Sequence, residues 1–87
     1  MTDPTDALLD NRGKTHGDFS HHARITQELK EKVREEPGWG KLTDCQCEAI
    51  DMILHKIGRI LAGNPNHKDH WDDIAGYARL VSDRIND

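Results

Sequence analysis

Cysteine and aromatic residues are scarce in this chain. Its 87 residues include two Cys, two Trp, one Tyr and one Phe. Cys45 and Cys47 stand one residue apart, which gives poor geometry for a mutual disulfide, so no disulfide framework is available. No Cys-x-x-Cys pair accompanies the six histidines, so the spacing does not suggest structural zinc. No apolar run approaches about 18 residues and no signal-peptide pattern is present, so the expectation is a soluble, cytoplasmic chain without a membrane segment. Strand patterns, internal repeats and a glycine-rich phosphate loop are also missing. The formal net charge is −4, with Lys and Arg scattered, which argues against bulk nucleic-acid binding. It leaves room for a small phosphorylated ligand, because one basic pocket does not need a basic protein.

What is there reads as one all-α domain over residues 1–87. Charged residues are many and aliphatic ones few, so a lone helical monomer has little burial to offset chain entropy. The expected architecture is three main helices plus a short N-terminal one, in an antiparallel bundle completed by homo-oligomerisation as a dimer or tetramer.

The chain order follows from its punctuation. Residues 1–3 are expected to fray, and Pro4 suits a first helical position for a short helix over 4–11 that ends by Gly13. Arg12-Gly13-Lys14-Thr15-His16-Gly17-Asp18 reads as a polar loop, either a solvated connector or a wrap for an anion. Asp18 caps a helix over 19–36, stopped by Pro37 and Gly38. Its apolar stripe is Phe19, Ala23, Ile25, Leu29 and Val33, with His22 in the middle of it. Thr43 and Gln46 form a capping-box pattern that opens a helix over 44–62, with Gly63 as its stop. A last helix spans 66–85, its stripe made of Trp71, Ile74, Ala78, Val81 and Ile85.

Two constellations could carry chemistry. Glu48, Asp51, His55 and Arg59 line one face of the third helix, where two carboxylates a turn apart can share a divalent cation and His55 can act as a base. The same face is where an amphipathic helix puts its solvent side. In the last helix, Asp69, Asp73, Gly76 and Leu80 fall together, away from the Trp71 stripe. Leu80 indicates that this side is partly covered, which makes Asp73 a partly buried carboxylate in need of a cation or donors. Asp69 is either a ligand or a helix cap; Asp72 points to solvent; His70 and Tyr77 flank Asp73.

Three segments resemble a family of small phage and prophage proteins of unknown function. They are Arg12-Gly13-Lys14-Thr15-His16-Gly17-Asp18-Phe19, the run from Glu48 to Leu61, and His67-x-Asp69-x-Trp71-x-Asp73-Ile74-Ala75-Gly76-Tyr77. The resemblance spans about residues 8–82 and implies a phage origin, hence a host cytoplasm. A more distant likeness is to the MazG-like nucleoside triphosphate pyrophosphohydrolases, carried by Glu48-x-x-Asp51. The other acidic pair of that pattern is replaced here by Asp69 and Asp73. That likeness implies a nucleotide site between subunits, with Glu48, Asp51, Asp69 and Asp73 on Mg²⁺. Asp73 and His55 would be its catalytic residues. Lys14, His16, Arg59, His67, Trp71 and Tyr77 would bind the ligand. The other readings are a non-catalytic module that sequesters a nucleotide or blocks a host protein, and a purely structural helical oligomer.

Overall fold

The computed structural model describes residues 3–86. Four α-helices follow in chain order, with no strand among the described residues: α1 (Pro4–His16), α2 (Phe19–Arg34), α3 (Asp44–Ala62) and α4 (Lys68–Ser82). A 3₁₀ turn, Pro37–Lys41, joins α2 to α3. The long α3 is the spine; α2 packs on one side of it, α4 on the other, and α1 lies against α2 and α3. No helix is long and apolar enough to cross a membrane.

Capping explains most of the boundaries. Asp3 accepts a hydrogen bond from Thr5 N–H at 2.7 Å and caps α1, so this residue is engaged rather than frayed. Met1 and Thr2 lie outside the described residues. Asp18 accepts from His21 N–H at 3.2 Å, and the Thr43–Gln46 capping box is formed. Glu36 is extended (ψ 137°), the conformation favoured before proline, so α2 ends at Arg34, short of the expected residue 36. α4 begins later than expected, at Lys68, because Asn64 Oδ1 accepts from Asn66 N–H at 2.9 Å and holds the preceding turn.

The largest departure is in α1. The helix continues past Gly13 to His16, turning the expected loop into its last turn. A mid-helix glycine costs only about 1 kcal/mol, and tertiary bonds hold this segment. The Thr15 carbonyl accepts from Asn64 N–H at 3.1 Å and from His70 Nε2–H at 3.0 Å. The chain then turns at Gly17, where φ is +82° and a Cβ would collide with the Ala62 carbonyl. A glycine is needed there on both counts.

Burial is sparse and unusually polar. Ala49 and Leu54 are the buried apolar residues, while His22, Thr26, Lys56 and His70 are buried polar ones. At Gly58 a Cβ would run into Thr26 Oγ1 and sit 2.8 Å from His22 Cδ2, so glycine lets α2 approach α3. Several residues assigned to apolar stripes are exposed instead: Phe19, Trp71 and Ile85. Trp71 turns back to the α3–α4 loop, its Nε1–H donating to Pro65 O at 2.7 Å.

Candidate functional site

The longer α1 decides the site. With Arg12 and His16 four residues apart on a helix, both sit on the face turned toward α3 and α4. Lys14 falls elsewhere on that helix, where it pairs with Asp10 at 3.8 Å in solvent. Arg12 therefore occupies the place that a loop reading gives to Lys14.

Arg12, His16 and Arg59 separate two adjoining cavities and line both. The more polar one, about 370 Å³, is also bounded by Thr15, Lys56, His67, Asp69, His70 and Asp73. The other, about 430 Å³, adds Leu9, Phe19, His22 and His55. Three imidazoles cluster beside the polar cavity. The His70 ring lies 4.9 Å from His16 and 4.7 Å from His67, centroid to centroid.

Hydrogen bonding fixes the tautomer of His70. Its Nε2 lies 3.0 Å from the Thr15 carbonyl and 3.3 Å from His16 Nδ1. A carbonyl only accepts, so His70 Nε2 carries the proton. His16 Nδ1 also lies 3.1 Å from the Thr15 hydroxyl, which donates to the Arg12 carbonyl. Burial first, then Arg59, His70, His67 and Lys56, lower the His16 pKa from 6.5 to about 4. His22 Nε2–H donates to His55 O at 3.3 Å. The His55 ring meets His22 edge-on at 4.6 Å, and burial followed by Arg59 lowers its pKa to about 4.

Cations dominate the polar cavity. Lys56, 11% exposed, reaches Asp73 Oδ2 at 2.7 Å. That hydrogen bond and the Lys56 charge hold the Asp73 carboxyl below its ordinary range. Asp73 is about half exposed. Arg12 and Arg59 have no carboxylate within ion-pair distance among the described residues. The two repel: burial, then Arg12, lower the Arg59 pKa, with the Asp73 carboxylate acting in the opposite direction. Arg59 Nε is buried without a hydrogen-bond partner.

The other expected site residues scatter. Asp51 is held by Arg34 through two bonds of 2.8 and 2.9 Å, and Arg34 also lies 5.2 Å above the Trp39 ring. Glu48 and Tyr77 line a separate apolar groove between α3 and α4. Asp69 is mostly exposed at the cavity mouth, 3.8 Å from His67 Nε2. His55 and Asp73 line different cavities, so they do not form one acid–base pair. Trp71 lies in neither. Among the described residues no three His, Cys, Asp or Glu side chains are grouped to hold a metal ion. The magnesium set implied by the MazG-like likeness therefore does not fit within one chain: Arg34 engages Asp51, Lys56 engages Asp73, and Glu48 faces another groove.

Residues 1–85 match the family model described as a domain of unknown function, DUF6378, and the chain belongs to that family. Comparison with curated proteins and with solved structures gives no match.

Proposed function

We propose that this DUF6378 member binds a small phosphorylated ligand of the nucleotide class, in the paired cavities around Arg12, His16 and Arg59. The observation that carries the reading is the Arg12–Arg59 pair. Two guanidiniums share a cavity wall with no carboxylate within ion-pair distance among the described residues, although Asp69 and Asp73 line the same cavity, and one has a buried donor left unbonded. An orphan buried donor costs about 1–3 kcal/mol, and a phosphate oxygen would satisfy it while cancelling the repulsion. Lys56, His67 and His16 would supply further donors. The adjoining chamber, lined by Leu9, Phe19, His22 and His55 together with Asp18, is the more enclosed and more apolar of the two and suits a base or sugar.

Binding is better supported than turnover. Asp73 is already committed to Lys56, His55 lies in the other chamber, and the acids needed for a metal-assisted hydrolysis are apart. Phage origin and MazG-like chemistry rest on sequence likeness alone. The test is to titrate the ribo- and deoxynucleoside triphosphates into the protein by calorimetry, then analyse the recovered nucleotide. Micromolar binding of at least one, recovered intact, is expected. Absence of binding across the panel would overturn the reading, and conversion of the nucleotide would overturn its non-catalytic form.

A further inference from the structure

We infer that the outer face of α4 is a two-fold interface, on which a second copy of this chain lays its own α4 antiparallel. The first observation is area. The chain exposes 6429 Å², whereas a folded monomer of its mass exposes about 5,200 Å². The excess, about 1,200 Å², exceeds the roughly 800 Å² that each partner contributes to a stable interface. Shape agrees: the radius of gyration is 15.2 Å within extents of 55 × 26 × 22 Å, against about 12 Å for a globular chain of this length.

The second observation locates the partner. Asp73, Gly76 and Leu80, with Arg84 just past the helix end, form one exposed strip along α4, bordered by Tyr77 and Val81. Leu80 is 52% exposed. Beside it runs an apolar groove of about 220 Å³ lined by Ala49, Tyr77, Leu80 and Val81. No atom of this chain would meet a Cβ at Gly76 within 4 Å, so another backbone has room to come close.

Charge then selects a second copy in antiparallel sense. The start of α4 carries Lys68, Asp69, Asp72 and Asp73, and its end carries Arg79, followed by Asp83 and Arg84. Lys68 pairs with Asp72 and Arg79 with Asp83, which leaves Asp73 and Arg84 to meet across the axis. An axis between Ala78 and Arg79 sets Tyr77 against the partner's Leu80, Gly76 against the partner's Val81, and Asp73 against the partner's Arg84. Lys56 uses Asp73 Oδ2, which leaves Oδ1 for that pair. Antiparallel helices also oppose their dipoles favourably. Because Asp73 lines both the polar cavity and this face, the two regions share one carboxylate.

Sedimentation equilibrium of the full chain at micromolar concentration tests the inference, with helicity monitored by circular dichroism. Wild type should sediment at twice the 9.9 kDa chain mass. Leu80→Glu should be monomeric. Arg84→Glu, a surface change that spares the core, should weaken self-association about tenfold or more. Leu61→Glu, on an exposed part of α3 away from this strip, should leave the dimer intact. A wild-type monomer would overturn the inference, and so would a dimer that tolerates both α4 changes or dissociates only with Leu61→Glu. A monomer would indicate that a different protein covers the face.

Discussion

His70 donates from Nε2 to the carbonyl oxygen of Thr15 at 3.0 Å, joining α4 to the last turn of α1. His70 is 1% exposed, and this bond positions Arg12 and His16 over the cavity. Removing the ring leaves the Thr15 carbonyl with the Asn64 N–H alone and opens a void. His70→Ala should destabilise the fold by about 2–3 kcal/mol. Urea unfolding measures the loss, and hydrogen exchange should show Arg12 to His16 losing protection first.

The Lys56–Asp73 pair is asymmetric, since the ammonium is buried and the carboxylate half exposed. Asp73→Asn removes the counter-ion of a buried charge, whereas Lys56→Met replaces that charge with an apolar chain and leaves Asp73 to water. Asp73→Asn should therefore lower the melting temperature more than Lys56→Met. Thermal scans of both variants decide it, and the reverse order would show that Lys56 is not held by Asp73.

Acid should destabilise this fold through its histidines. His16 and His55 have folded pKa values lowered from 6.5 to about 4. The unfolded chain thus binds protons at these rings as pH falls through 6.5, while the folded chain resists until about 4. Stability from their neutral forms is full above that window and is lost through it. Melting temperature should fall as pH drops from 7 to 4, and a His16→Gln, His55→Gln double variant should flatten the decline.

An anion in the cavity would favour the charged imidazoles. Ligand binding near pH 5.5 should then take up protons, seen as a calorimetric enthalpy that varies with the ionisation enthalpy of the buffer. The His16→Gln, His55→Gln variant should lose most of that dependence.

Much of the helical framework was legible because its signals are local. Thr43 and Gln46 announce the start of α3, Asp18 caps α2, and Pro37 marks its stop, although the helix ends at Arg34 rather than at Glu36. The end of α1 was not legible, because Gly13 and Gly17 offer two stops and the choice depends on Asn64 and His70, far along the chain. That choice matters for the site, since it brings Arg12 inward and leaves Lys14 in solvent. The spacing of Arg12 and His16 was the available signal, and it speaks only once the segment is taken as helix. His22 was flagged by its place in an apolar stripe, and it is buried. Glu48 and Asp51 were expected on one face, but the sequence could not show that Arg34 of α2 claims Asp51 while Glu48 lines the groove against α4. Trp71 looked like core by periodicity, yet its indole N–H finds Pro65 O at the helix entrance.

The central claim is that Arg12 and Arg59 hold phosphate. It is tested most directly by calorimetric titration of the nucleoside triphosphates into wild type, Arg59→Gln, Arg12→Gln and Lys14→Gln. The account expects micromolar binding to wild type and a weakening of about tenfold or more for either cavity arginine, the loss of a charge-assisted bond. Lys14→Gln should bind as wild type does. Equal affinity in wild type and Arg59→Gln, or a loss confined to Lys14→Gln, would contradict it.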